Sequence, residues 1–180
     1  MTPVPMEGRG AETIAIGLIS DTHGLVRPDV FAALAGVREI LHAGDVGYTS
    51  DGGDVLTELR AIAPVRAVYG NTDAPGRPDL QERLEVLIGG IRVVVTHGHE
   101  LGRPTPETLV AAYPQAEVLV YGHTHRQLVT RIGDTLVVNP GAAGPRRFDL
   151  APSVAQLHIT RGHAHVEIVP LTSGPPVVTG

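Results

Sequence analysis

Apolar residues in this chain come in short blocks, and most blocks stop at a cluster of polar residues. Residues 14 to 20 read IAIGLIS, a run of strand length, and PDVFAALAG from Pro28 predicts a short helix with proline in its first turn. REILHAGD predicts a second strand ending at Asp45. DGGDVLTELRAI predicts a helix with Asp51 or Asp54 near its start, and PVRAVYGNTD a third strand ending at Asn71.

Beyond Asn71 the pattern changes from crossover to meander. LEVLI and IRVVVTHGHE are separated by Gly89-Gly90, the form of a hairpin with a two-residue turn. A helix at TPETLVAAYP leads to a strand at AEVLVYGHTH. RQLVTRI and TLVVNPG then pair about Gly133-Asp134, and SVAQLHITRG and HAHVEIVPL about Arg161-Gly162. The expected class is α/β with much of its sheet antiparallel. No linker, repeat or low-complexity block interrupts residues 13 to 172, so one domain is expected there, with residues 1 to 12 and 173 to 180 as loose tails.

Composition fits that class and narrows its chemistry. With 180 residues, 42% hydrophobic and only 18% charged, the chain is large and apolar enough for one sizeable core. Aromatic residues make up 3%, with no tryptophan, which argues against an aromatic platform for stacking bases or sugars. The absence of cysteine removes disulfides, thiolate ligands and thiol nucleophiles together, so any metal must be held by Asp, Asn and His. No apolar segment reaches membrane-spanning length and no secretory h-region is evident, so a cytoplasmic protein with no membrane partner is expected. A net charge of -5, with Arg146-Arg147 as the one tight basic pair, argues against bulk binding of nucleic acid.

Five strand ends carry the polar clusters: Asp21-x-His23, Gly44-Asp45, Gly70-Asn71, His97-Gly98-His99 and Gly122-His123-x-His125. Taken alone, each has an ordinary reading. Asp-x-His-Gly and Gly-Asp are turn cues, and an isolated His97 reads as a satisfied polar residue. Together they say more, because ligands of open α/β sheets sit outside the carboxyl ends of strands, where all of these lie. Imidazoles and carboxylates suit manganese, iron, cobalt, nickel or zinc, and such a set can serve two metals if one carboxylate bridges. Two divalent cations outweigh two carboxylates and a hydroxide. A cationic pocket then survives on an acidic protein, and phosphate is its natural guest.

In this order the five clusters resemble the calcineurin-like metallophosphoesterases, in particular their small bacterial and archaeal phosphodiesterase branch. The resemblance spans about residues 13 to 170. It implies a β-sandwich flanked by helices, with mixed sheets and the metal site at the carboxyl ends of strands. It also implies a first metal held by Asp21, His23, Asp45 and His125 and a second held by Asp45, Asn71, His97 and His123, with Asp45 as the bridge. Manganese is the leading choice, and iron, zinc, nickel or cobalt are alternatives.

The implied reaction is hydrolysis of a small phosphoester by a hydroxide that bridges the metals, so no protein nucleophile is needed. Ser20 is accordingly read as the last strand residue before Asp21. His99, Asp73 and Arg147 are candidates for supporting roles. Arg146 and Arg147 either bind an anion or are simply solvated. His42 is read as structural or ligand-orienting, Asn139-Pro140-Gly141 as a turn that positions backbone near the site, and His158, His163 and His165 as strand residues away from it. One departure bears on substrate: Asn71-Thr72-Asp73 stands where many phosphomonoesterases have Asn-His, and that His is the usual proton donor to the leaving group. The small branch often lacks it too, so a phosphodiesterase is favoured over a phosphomonoesterase. A non-catalytic protein-binding scaffold of the same fold is the other alternative, and a homo-oligomer is compatible with the sequence.

Overall fold

The computed structural model describes residues 12–147 and 149–172, so all but Glu12 of the expected tails lies outside the described residues. In chain order, β1 (Ile14–Ile19), β2 (Glu39–His42), β3 (Val65–Val68) and β4 (Leu80–Gln81) run parallel as neighbours in one sheet. A second sheet takes β5 (Leu84–Ile88), β6 (Ile91–Val95), β7 (Val118–Val120), β8 (Leu128–Ile132) and β9 (Thr135–Asn139), in the order β5-β6-β7-β9-β8. The chain then returns to the first sheet, where β10 (Ser153–Thr160) pairs antiparallel with β1 and β11 (His163–Pro170) with β10. Both sheets are mixed.

The period of two along each strand divides the apolar side chains between two faces. Ile16 and Leu18 of β1, Val93 and Val95 of β6, Val118 and Val120 of β7, and Leu157 and Ile159 of β10 meet between the sheets in one buried cluster. The opposite face of the first sheet, through Ile40 and Ala67, packs on α1 (Pro28–Ala33) and α2 (Val55–Arg60), which contribute Val30, Val55, Leu56 and Leu59. On the second sheet, Val94, Leu119 and Val137 pack on Leu109 of α3 (Pro106–Ala112). The layers are therefore helices, sheet, sheet and helix, the helix-flanked β-sandwich that the resemblance implied. No helix among the described residues is long and apolar enough to cross a membrane.

Local chemistry sets the element ends. Pro28 starts α1, and the Asp54 carboxylate caps α2 by accepting from Leu56 N and Thr57 N. Asp51 instead accepts from Gly53 N in the preceding turn. The strands stop earlier than expected: β2 ends at His42 rather than Asp45, β3 at Val68 rather than Asn71, and β7 at Val120. The reason is conformational, since Gly44 and Asp45 have φ of 95° and 54°, and a left-handed residue cannot continue a strand. Strand β4 and the 3-10 turn His99–Leu101 carry no apolar periodicity and were not legible in the sequence.

Parallel β1, β2 and β3 bring Asp21, Asp45 and Asn71 to one edge of the first sheet, and parallel β6 and β7 bring His97 and His123 to the same end of the second. Leu157→Ala, at a fully buried position between the sheets, should destabilise the fold by roughly 2–5 kcal/mol in urea titration. Leu87→Ala, at a side chain 73% exposed on β5, should stay within about 0.5 kcal/mol of wild type.

Candidate metal centre

The donor atoms of the candidate ligands converge at that shared end. His125 Nε2 lies 3.1 Å from Asp21 Oδ1 and 3.4 Å from His23 Nε2, and His23 Nε2 lies 3.7 Å from Asp45 Oδ2. One donor atom from each of Asp21, His23, Asp45 and His125 falls within 4.8 Å of every other. Beside this group, His97 Nε2 lies 3.4 Å from the same Asp45 Oδ2 and 3.2 Å from Asn71 Oδ1, and His123 Nδ1 lies 3.1 Å from Asn71 Oδ1. Two donor groups thus share one carboxylate oxygen.

The chemistry of these atoms fits a cation. Asp21 Oδ2 accepts from the Ser20 hydroxyl and from His123 N, whereas Asp21 Oδ1 is buried with no hydrogen-bond donor and faces the imidazoles. Asp45 is arranged alike: Oδ1 accepts from Thr72 N at 2.9 Å, and Oδ2 faces His23 and His97. The Nδ1 of His97 is hydrogen-bonded to Ala43 O at 2.8 Å, which fixes its proton there and leaves the Nε2 lone pair pointing at the centre. A carboxylate oxygen buried without a donor is costly unless a cation meets it.

The backbone is strained where the candidate ligands sit. Asp21, His23, Asp45, His123 and His125 all have φ between 45° and 67°; the remaining non-glycine with positive φ among the described residues is Arg161 in the β10–β11 turn. Each such residue costs on the order of 1–2 kcal/mol. The surrounding loops hold it in place. Asp21 N, His23 N and Gly24 N donate to Gly44 O, Asp45 O and Val46 O, continuing the β1–β2 ladder into the loops. Ala143 N and Gly144 N donate to Ser20 O and Asp21 O, and Arg27 donates through Nε and Nη2 to Gly144 O.

Two glycines before ligands are required by space. A Cβ on Gly70 would collide with Asp45 Oδ1, and one on Gly122 with Ser20 Oγ. The Gly-Asn and Gly-His pairs seen in the sequence thus mark close packing between ligand loops, beyond any turn preference.

The supporting residues separate into different tasks. His42 is fully buried; its Nδ1 accepts from Gly44 N, so Nε2 carries the proton and donates to Thr22 Oγ1 at 2.9 Å. Burial pushes its pKa down to about 4, partly opposed by the nearby carboxylates, so it stays neutral and holds the loop before Asp45. Asn139 donates to Gly122 O and Thr124 Oγ1 and accepts from Gly141 N, which braces the loop carrying His123 and His125.

Asp73 has a task other than the catalytic support expected of it. Its carboxylate accepts from Val46 N, Gly47 N and Gly70 N at 2.8–3.2 Å, which ties the Asp45 and Asn71 loops together and leaves it poorly suited to supplying a proton. A carboxylate three residues after Gly70 is a turn signal for the Gly70 contact alone; the contacts to Val46 and Gly47 have no counterpart in the local sequence. Buried Arg27 had no comparable signal. His99 lies beside the second donor group, its ring centroid 5.3 Å from that of His97 and 6.4 Å from that of His123. Arg126 and Arg147 line a cavity of about 210 Å³ with His123, Thr124 and His125. Arg146 lines a neighbouring hollow with His125. His158 pairs with His165 across β10 and β11, and His163 lies beside the Arg161-Gly162 turn; all three belong to strands β10 and β11.

Charge is tightly coupled across the centre. Burial pushes the Asp45 carboxyl up, but the hydrogen bond and charge of His97 and the Thr72 amide outweigh it and hold the group well below the usual carboxylate range. Burial lowers His97, yet the hydrogen bond to Asp45 and the charges of Asp21 and Asp45 prevail and raise it above 6.5. Burial also dominates at His23, which stays below 6.5 despite Asp45 and Asp21.

A helix-flanked double sheet with such a set of candidate ligands at the ends of its parallel strands has the architecture of a metallophosphoesterase. Residues 14–162 match the family model of the calcineurin-like phosphoesterase superfamily domain. A probable metallophosphoesterase of Methanothermobacter thermautotrophicus is 36% identical over 170 residues, covering 90% of this chain and 94% of that protein. A phosphodiesterase of Methanocaldococcus jannaschii is 30% identical over 145 residues, covering 70% and 82%. The solved structure of Vps29 from Entamoeba histolytica complexed with zinc superposes with a TM-score of 0.67 at 24% identity, over 87% of this chain and 99% of that one, a likeness of fold alone. The chain belongs to the calcineurin-like phosphoesterase superfamily.

Protons should compete with cations at His97. Because its folded pKa lies above 6.5, the proton is retained to higher pH than on a free imidazole, so metal affinity should climb as pH rises through that pKa and fall below it. In equilibrium dialysis at a series of pH values, the uptake midpoint should move to lower pH as metal concentration increases. A midpoint insensitive to metal concentration contradicts the competition.

Proposed function

We propose that the chain is a phosphodiesterase that works with two divalent cations. The observation that carries this reading is the position of Asp45 Oδ2, 3.7 Å from His23 Nε2 and 3.4 Å from His97 Nε2, between two otherwise separate donor groups. Asp21, His23, Asp45 and His125 would hold one cation, and Asp45, Asn71, His97 and His123 the other. When bound, the pair supplies positive charge for phosphoryl oxygens and makes hydroxide available from water near neutrality. The oxygen and imidazole donors suit manganese, iron, zinc, nickel or cobalt, with manganese our first choice.

The protein's own contribution is placement. Thr72 N and the Asp73 carboxylate fix Asp45 and its loop, so Oδ2 is presented without rotational freedom. Arg147, on the cavity wall beside His123 and His125, is in position to donate to a phosphate oxygen, with Arg126 on the same wall. His99 supports the second donor group from its flank. Arginine and histidine here favour a compact anion rather than a long polymer, in keeping with the negative net charge.

The preference for diesters rests on Thr72. Its side chain cannot act as an acid toward the leaving group, a function worth about 10²–10⁴ in rate where a histidine provides it. Poor alkoxide leaving groups need that help most, and activated aryl groups need it little. A second reading, a protein-binding scaffold of the same fold, would leave the complete ligand set without a task.

After metal stripping and reconstitution with each of the five metals or magnesium, bis-aryl phosphodiesters should be hydrolysed clearly faster than alkyl phosphomonoesters. Thr72→His should narrow the gap; a wild type that prefers alkyl monoesters sinks the diester reading. Asp45→Asn should lower kcat/KM by roughly a hundredfold or more and weaken binding at both metal positions, while circular dichroism shows the fold retained. Wild-type rate and metal content in that variant would overturn the shared-ligand arrangement.

A further inference from the structure

A cavity of about 370 Å³ opens beside the second donor group, lined by Tyr69, Asn71, Asp73, Pro75, Gly76 and His99 among others. Its size falls within the range of small-molecule sites, roughly 300–1,000 Å³. One wall is the ligand Asn71 itself. A group attached to a phosphate held at the centre would enter this cavity directly.

Two aromatic rings, Tyr69 and His99, also line it, tilted against each other. Tyr69 remains 37% exposed although it directly precedes the Gly70-Asn71 ligand pair, and its ring lies 6.0 Å from that of His99 at an interplanar angle of 59°. Tyr69 thus combines partial exposure with a place in the cavity lining, where Ala74, Pro75 and Gly76 add no large side chain.

The cavity is built rather than incidental. Its 73–76 wall is held at one end by the Asp73 carboxylate on three backbone N–H groups. It is held at the other by Arg77, which donates to Asp54, Asp79 and Gly47 O and stacks on Tyr48 at 4.6 Å. Both anchors tie the loop to the segment following Asp45, so cavity and donor groups keep a fixed relation. The low aromatic content of the sequence excludes an extended stacking platform, but one tyrosine at this position suffices for a single ring.

We infer that this cavity is the subsite for a planar aromatic substituent of the phosphodiester, stacked on Tyr69 with its edge toward His99, so that the substrate class is aryl or nucleoside phosphodiesters rather than dialkyl ones. The inference rests on the phosphodiesterase reading for its substrate, but the subsite is measurable by binding alone. An aromatic side chain contributes roughly tenfold or more in affinity to each ring it stacks.

Calorimetry on the manganese-loaded protein with methylphosphonate, phenylphosphonate and a nucleoside monophosphate supplies the test. Phenylphosphonate or the nucleotide should bind about tenfold more tightly than methylphosphonate. Tyr69→Ala should erase that ratio, and Tyr69→Phe, which keeps the ring, should preserve it. Tighter binding of the nucleotide than of phenylphosphonate assigns the subsite to a nucleobase, and the reverse to a simple arene; either supports the inference. Equal affinity for all three in wild type, no binding of any of them, or a ring preference that survives Tyr69→Ala overturns it. Turnover of bis-aryl diesters is scored separately: a ring preference without turnover keeps the subsite and removes the hydrolase, and turnover without a ring preference does the reverse.

Discussion

The arrangement of the whole site depends on the two oxygens of Asp45 doing different things. One accepts from Thr72 N, and the other lies between His23 and His97. A carboxylate buried this deeply is unfavourable unless positive charge meets it, and the charge must come from both sides. That single requirement explains why loops from two sheets have to close on the same point, and why the residues around it hold one another so firmly. The Asp73 carboxylate, the neutral His42 and the Asn139 carboxamide touch none of the space between the donor groups, yet each satisfies backbone groups in a loop that carries a ligand.

Backbone strain is the counterpart of this arrangement. Left-handed conformations at five proposed ligands persist because ladder hydrogen bonds, tight glycine contacts and buried side chains over-determine the loops. The strain and the packing are therefore one feature seen twice. A side chain that leaves a strand in the left-handed region turns sharply out of the sheet, and this aims Asp21, Asp45 and His123 across the gap between the sheets.

Much of this was legible in the sequence, and for identifiable reasons. Short apolar runs in β1, β6 and β7 and alternation in β10 announced strands, Gly89-Gly90 and Arg161-Gly162 announced hairpins, and each of Asp21, Asp45, Asn71, His97, His123 and His125 sits just past a strand end as the apolar blocks indicated. Strand ends were placed too late because Gly-Asp and Gly-His pairs carry no apolar signal that distinguishes extended from left-handed backbone. The role of Asp73 was missed because accepting from backbone N–H groups of a distant loop leaves no periodic trace. Tyr69 was hidden for a different reason: a composition counts rings, while a site depends on where one of them lies.

The order of the ligands along the chain has a consequence of its own. The donors run from Asp21 to His125, the first four following strands of the first sheet and the last three following strands of the second, so no short peptide of this protein contains more than half of either group. In the unfolded chain these groups are dispersed, and closing loops of such length is entropically costly. A cation that selects the complete constellation therefore binds the native state almost exclusively, and its binding energy becomes folding energy, increasing with the logarithm of its concentration. With the proposed ions bound, metal supply would act on the stability of the folded protein, and each sheet would depend on the other through an ion that belongs to neither.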